Sequence, residues 1–199
     1  MGKLSLYVIH CTDTPPNMRV VKSTIEQWHK SPLDNKDGSV TYLGKKYKNR
    51  ESLPDHKING TSIKLLHGRG WDRAGYSDLF PREGGILNIT PYDEDDIITS
   101  SEMTWGATGV NAISRHKVLV GGWRNGEKSG TFNFLDIFTL AQHQALEADI
   151  KKTISEHPDI KIAGHRDIPG AGKTCPNFDV HEYLKQINLE EHYYGKSIG

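Results

Sequence analysis

"GHRDIPGAGKTCPNFDV", residues 164–180, decides how this chain is read. It gathers a histidine, a lysine and one of only two cysteines into a run broken by Gly164, Pro169, Gly170, Gly172 and Pro176. Such a run is too irregular for helix or strand. On its N-terminal side "IKIAG" reads as a strand that delivers His165 at its exit. On its C-terminal side Asp179, with Glu182 three residues on, starts a last helix, "DVHEYLKQI". The stretch is therefore a strand-to-helix loop that carries chemistry-bearing side chains.

Working outward, "LSLYVIH", residues 4–10, is a β-branched and aromatic run that ends at "TDTPPN", so it reads as a buried strand with His10 at its end. Ser23 with Glu26 forms a capping-box pattern for a short amphipathic helix, "STIEQWHK", with Ile25 and Trp28 on one face. From 31 to about 67 turn signals dominate, and the reading is an inserted, exposed excursion with a small hairpin through Val40 to Tyr47. "GYSDLFPREGGILNIT" reads as two short strands joined at Arg82 to Gly85, and "SRHKVLVGGW" as another strand. Thr139 with Gln142 caps a long helix that runs to about Glu156, carries Leu140, Leu146, Ile150 and Ile154 at helical spacing, and stops at Pro158. Strands alternate with helices, which predicts the α/β class: a mixed central β-sheet flanked by helices in a single domain over 1–187, with a C-terminal tail at 188–199.

Totals exclude several function classes. Lysine plus arginine equals aspartate plus glutamate, 25 each, so no global basic field supports nucleic-acid binding. No apolar run approaches the roughly 20 residues that span a bilayer. The N-terminal apolar run is too short for a secretory signal. The expectation is a monomer made in the cytoplasm without a signal peptide, with no nucleic-acid or membrane partner. In that compartment a disulfide is little needed, so Cys175 reads as a functional cysteine and Cys11 as a buried thiol beside His10.

His10 and His165 at strand exits, with Cys175 ten positions after the second (175 minus 165), make a candidate zinc site of two histidines and a cysteine. Zinc binds imidazole nitrogen and thiolate readily, and a catalytic zinc keeps three protein ligands and one open position. A histidine at a strand end is also commonly an ordinary hydrogen-bonded residue, so spacing alone leaves both readings open.

"YVIHCTDTP", "IEQWHK", "GRGWDRAGYSDLF", "NAISRHKVLVGGW" and "GHRDIPGAGKTCPNFD", in this order, resemble the zinc-dependent N-acetylmuramoyl-L-alanine amidases. That family includes phage lysozymes of amidase specificity and peptidoglycan recognition proteins, and the resemblance runs from about Leu4 to Leu184. It implies Zn²⁺ as cofactor, His10, His165 and Cys175 as its ligands, and Tyr76 and Lys173 as the polar groups beside the metal. It implies peptidoglycan or a muropeptide as the partner, cut between N-acetylmuramic acid and L-alanine in the manner of an endolysin. The chemistry is consistent: zinc lowers the pKa of a bound water from 15.7 to about 7, and a lysine or phenol can hold the charge that grows on the carbonyl oxygen.

The chain departs from the family pattern at Ser77, where a histidine is frequent, and at "SRHK", where "SIGI" is expected, placing Arg115 and His116 near the groove. From the residues alone, His116 is expected to face solvent, His29 to lie on a helix surface, Trp105 and Trp123 to pack, and the "DEDD" run at 93–96 to be a solvated loop. Residues 31–67 hold seven Lys/Arg against four Asp/Glu, an excess of three positives that meets acidic stem peptides or only water. Three other functions compete with an endolysin-like hydrolase: a non-catalytic peptidoglycan-binding module of the same fold, a cytoplasmic amidase recycling muropeptides, and a metal-free hydrolase with Cys175 as nucleophile.

Overall fold

In a computed structural model, residues 1–194 are described; Gly195–Gly199, the end of the tail read from residue 188, lie outside the described residues. The sheet is organised around Leu6–Cys11, six consecutive buried residues. Burial of every side chain on a strand requires neighbours on both edges and cover on both faces, the usual condition of a parallel sheet. Ser114–Leu119 pairs with it in parallel on one edge and Lys161–Gly164 on the other. Asp78–Phe80 continues the sheet in parallel beyond Ser114–Leu119, and Leu87–Asn88 closes it as an antiparallel edge strand. Four parallel strands and one antiparallel edge make the mixed α/β sheet that the sequence predicts.

Strand alternation divides the two faces. Tyr7, Ile9 and Cys11 point into the larger core, with Phe80, Leu119, Leu146, Ile150, Phe178 and Leu184. Leu6 and Val8 point the other way, into a smaller cluster with Ala107, Ala163 and Ile168. The large core is covered by Leu140–Glu156 and Val180–Gln186. The first of these starts as its sequence dictates: Gln142 N–H donates to Thr139 Oγ1 at 3.1 Å, and the Gln142 side chain accepts from Thr139 N–H at 3.0 Å. The Asp179 side chain likewise accepts from Glu182 N–H at 3.0 Å. Leu140, expected on the buried face, is 59% exposed; in the first turn Gln142 is the residue that faces inward, its side-chain amide donating to the carbonyls of Phe80 and Val120 at 2.9 Å.

The parallel register carries this alternation across strands. His116 lies beside Val8, Lys117 beside Ile9 and Val118 beside His10. Lys117 is thus sent to the helix side, where it is 2% exposed and its ammonium donates to Asp78 at 2.7 Å and to the Tyr92 hydroxyl at 3.0 Å. Asp149, on the covering helix, lies 3.1 Å away and also accepts from the Tyr7 hydroxyl at 2.7 Å. A buried charge persists only when it is paired and hydrogen-bonded. Burial opposes the Lys117 charge, but Asp149 and Asp78 outweigh it and hold the ammonium above its ordinary range. Arg115 also turns to this side, away from the expected groove. It stacks on the Tyr92 ring at 4.0 Å and donates to the carbonyls of Asp93 and Asp95.

By chain contacts the protein divides into two compact units, one made of Met1–Arg19 with the chain from Tyr76 onward, the other of Val20–Gly75. The helix of the second unit, Lys22–Lys30, begins one residue before the expected cap: Val21 is its N-cap, without a side-chain bond, and Ser23 lies inside it. Glu26 pairs instead with Lys30 at 3.2 Å, one turn on. His29 is buried rather than on the surface, because it shares the inward face with Ile25 at i+4 spacing; its Nδ1 accepts from Gly75 N–H at 3.0 Å. The stretch read as an excursion, 31–67, has a small core of its own in Val40, Tyr42, Leu53 and Ile63. Its hairpin joins Val40–Tyr42 to Lys45–Tyr47 through Leu43 and Gly44, both with positive φ, the two-residue turn that matches strand twist. Arg50 ties the segment together, gripping both Asp34 oxygens at 2.8 Å and the carbonyls of Lys64 and Leu66 at 2.9 Å.

Candidate metal centre

Ligands of parallel α/β sheets gather at the carboxyl ends of the strands, where loops leave toward the next helix. Here Gly164 is paired with Ile9, so His165, the next residue, emerges level with His10 on the adjacent strand. Their rings lie 4.7 Å apart, centroid to centroid. The loop that follows brings Cys175 back: Arg166 N–H donates to the Cys175 carbonyl at 2.7 Å, and Asp167 turns its carboxylate onto Gly164 N–H at 2.7 Å. Gly164 cannot be larger, since a Cβ there would stand 2.9 Å from the Pro176 ring and 3.0 Å from Val180.

The result is that one donor atom from each of His10, His165 and Cys175 lies within 4.8 Å of the others. No other trio of histidine, cysteine or acidic side chains among the described residues is close enough to share an ion, the "DEDD" run included. Cys175 Sγ stands 3.9 Å from His10 Nδ1 and accepts from Cys11 N–H at 3.3 Å.

The protonation states suit a cation. A hydrogen bond from the Cys11 thiol, joined by bonds from His10 and His165, holds Cys175 well below the ordinary thiol value against the opposing effect of burial. The same bond, with burial, raises Cys11, so of the two cysteines Cys175 is the thiolate. Burial lowers His10 and keeps its imidazole neutral. Neutral imidazole and thiolate are the forms in which these side chains bind zinc. The residues present therefore fit a zinc ion, and Cys11 is more than the inert thiol beside His10 that the sequence suggests.

Tyr76 is brought to the centre: its half-buried ring lies 5.1 Å from that of His10. Lys173 sits exposed on the loop two residues before Cys175. Asp167, which could have paired with it, is engaged by Gly164 N–H. His116 is not solvent-facing; it is wholly buried, with Nδ1 2.9 Å from His10 Nε2. Strand alternation could have placed it on the His10 face, but only once the parallel register was known. Burial, with the nearby His10 and His165, keeps the His116 imidazole well below its ordinary pKa. Ser77, at the family's frequent histidine position, accepts from His116 N–H at 3.3 Å. Trp123 is only half-buried, donating to Asp13 at 3.1 Å with the Lys128 ammonium 4.9 Å over its ring.

No family model and no curated protein sequence matches the chain. Solved structures do. The N-acetylmuramoyl-L-alanine amidase LysC from Clostridium intestinale superposes with a TM-score of 0.55 at 17% identity, over 94% of this chain and 87% of its own. The Ph2119 endolysin from a Thermus scotoductus bacteriophage gives 0.58 at 14%, over 95% and 88%. The ectodomain complex of peptidoglycan recognition proteins LCa and LCx, bound to tracheal cytotoxin, gives 0.53 at 12%, over 96% and 86%. Matching these structures over 94 to 96% of its own length and 86 to 88% of theirs, this chain has the fold of the N-acetylmuramoyl-L-alanine amidases and peptidoglycan recognition proteins.

Proposed function

We propose that the protein is a zinc-dependent N-acetylmuramoyl-L-alanine amidase that hydrolyses the amide between N-acetylmuramic acid and L-alanine in peptidoglycan or a muropeptide. The observation that carries this reading is the convergence of one cysteine and two histidines at the strand ends, the three-ligand set that a catalytic zinc would take. His10, His165 and Cys175 would hold a zinc ion, which would supply a Lewis acid for the scissile carbonyl and a water of lowered pKa.

The chain's own groups do the rest. In this reading the Tyr76 phenol, whose ring lies 5.1 Å from that of His10, donates a hydrogen bond to the carbonyl oxygen as charge grows there. Lys173, on an exposed loop and without an ion-pair partner among the described residues, has an ammonium free to reach the same oxygen or an acidic group of the stem peptide. Cys11 keeps Cys175 deprotonated through its N–H and S–H, so the sulfur remains a ligand rather than a neutral thiol.

Purified protein is loaded with zinc and incubated with sacculi and, separately, with soluble muropeptides, and the products are analysed by mass. Stem peptides with a free L-alanine amine, released by protein that holds about one zinc per chain and lost on chelation, support the reading. Binding to sacculi without release indicates the non-catalytic module. Release that survives chelation and is blocked by a thiol alkylator indicates Cys175 acting as nucleophile.

A further inference from the structure

The zinc reading leaves His116 without a role, and its surroundings argue that it has one. It projects from the middle of a wholly buried strand onto the face that carries Val8 and Ala163, where an aliphatic side chain would pack without desolvating a polar ring. Its Nε2 is buried without a partner among the described residues, so no second bond anchors the ring. Among the described residues its one side-chain hydrogen bond is the 2.9 Å contact between its Nδ1 and His10 Nε2.

We infer that His116 is the positioning residue of the metal centre: its Nδ1 accepts the proton on His10 Nε2, which fixes the His10 tautomer and turns His10 Nδ1 toward His165 and Cys175. The geometry sets the roles. His10 Nδ1 is the nitrogen on the Cys175 side, 3.9 Å from the sulfur, and as a ligand it must carry a lone pair. The proton of neutral His10 then resides on Nε2, whose neighbour is His116 Nδ1. A ligand histidine held through its other nitrogen is a general device of metal sites, and loss of such a partner typically weakens metal binding by about 10- to 100-fold. The usual partner is a carboxylate or a carbonyl; here it is a second imidazole, 2.9 Å away.

This inference rests on the zinc reading, and it is tested by zinc affinity, measured by competition with a chromophoric chelator, beside the thermal midpoint of the metal-free protein. His116→Leu removes the acceptor and keeps an aliphatic fit; His116→Asn keeps an acceptor, its Oδ1 standing near the place of Nδ1. The expected result is that His116→Leu binds zinc about 10- to 100-fold more weakly while its metal-free midpoint is unchanged or raised, and that His116→Asn recovers most of the affinity. Cobalt-loaded His116→Leu should also show a visible spectrum altered from wild type, which His116→Asn restores. Folded His116→Leu that binds zinc as tightly as wild type overturns this inference alone. A His116→Asn that is folded but as weak as His116→Leu does so too, since the acceptor is then not what matters. Wild-type protein that takes up no zinc overturns the amidase reading together with this one.

Discussion

Replacing Lys117 by Met tests how strongly the sheet depends on its buried charges. Methionine matches the aliphatic stem, so the perturbation is loss of the ammonium rather than of volume. What remains is Asp78, 2% exposed, and Asp149, 11% exposed, both deprived of the cation that stood 2.7 and 3.1 Å from them. Removing one partner of a buried pair costs about 3 to 5 kcal/mol, because the other charge is left uncompensated. For a chain of this size each kcal/mol moves the midpoint by about 2 to 4 °C, so thermal melting followed by circular dichroism should show a fall of about 6 to 20 °C. The sign of the pH dependence follows from the raised Lys117 pKa. Its contribution is fully present below the unfolded value of about 10.4 and is lost as pH rises through the higher folded value, so the gap between wild type and variant is constant through neutrality and narrows only at strongly alkaline pH. Neutralising the carboxylates as well, in a Lys117→Met, Asp78→Asn, Asp149→Asn variant, should recover part of the loss. A single variant that melts within about 2 °C of wild type at pH 7 would refute the reasoning, since the pair would then contribute no more than an exposed one.

Three further outcomes are expected. Cys175→Ala should lose both stoichiometric zinc and hydrolysis, because two histidines alone hold the metal poorly; metal analysis and release of stem peptides from sacculi read the two effects on one preparation. Lys173→Ala should retain zinc, its ligands being untouched, and lose turnover by a factor on the order of 10² to 10³ if the ammonium holds the developing oxyanion; near-wild-type turnover with zinc bound removes Lys173 from the catalytic set. Thr139→Ala should destabilise the protein by about 0.5 to 2 kcal/mol in chemical denaturation without altering zinc stoichiometry, since the lost cap lies at the start of a helix on the opposite face of the sheet.

Much of the scaffold was legible because it is built from local signals. The run that ends at His10, the cap at Thr139 and the cap at Asp179 each announce themselves within a few residues, and each is found in place. Ser23 misled because a cap pattern specifies only that a helix can start there, and in this chain Thr24 meets the Val21 N–H instead. The three donors of the metal centre were identifiable as residue types at strand ends and by resemblance, but their mutual distance depends on the pairing of Gly164 with Ile9, which no local pattern encodes. The same is true of the residues that act on those donors. His116 and the thiol of Cys11 are set against His10 and Cys175 by register and by a loop's return, over more than a hundred positions of chain. Burial was misjudged at His29 and His116 for one reason: a polar side chain read in isolation is assigned to water, and only its partner shows that it is satisfied inside.

Adjacent residues His116 and Lys117 face opposite sides of one strand, and this makes the strand self-checking during folding. A slip of one residue against Leu6–Cys11 would reverse every side chain and drive the Lys117 ammonium among imidazoles while leaving Asp78 and Asp149 opposite an uncharged ring. An apolar strand such as a run of valines would tolerate that error, since either face would find grease. Here the misaligned pairing buries an ammonium without a carboxylate on one side and strands two carboxylates on the other, so wrong registers are raised in energy and the correct one is left isolated. The charges that hold the helix to the sheet thereby also guarantee the alignment that sets His116 beside Val8, where its ring meets that of His10.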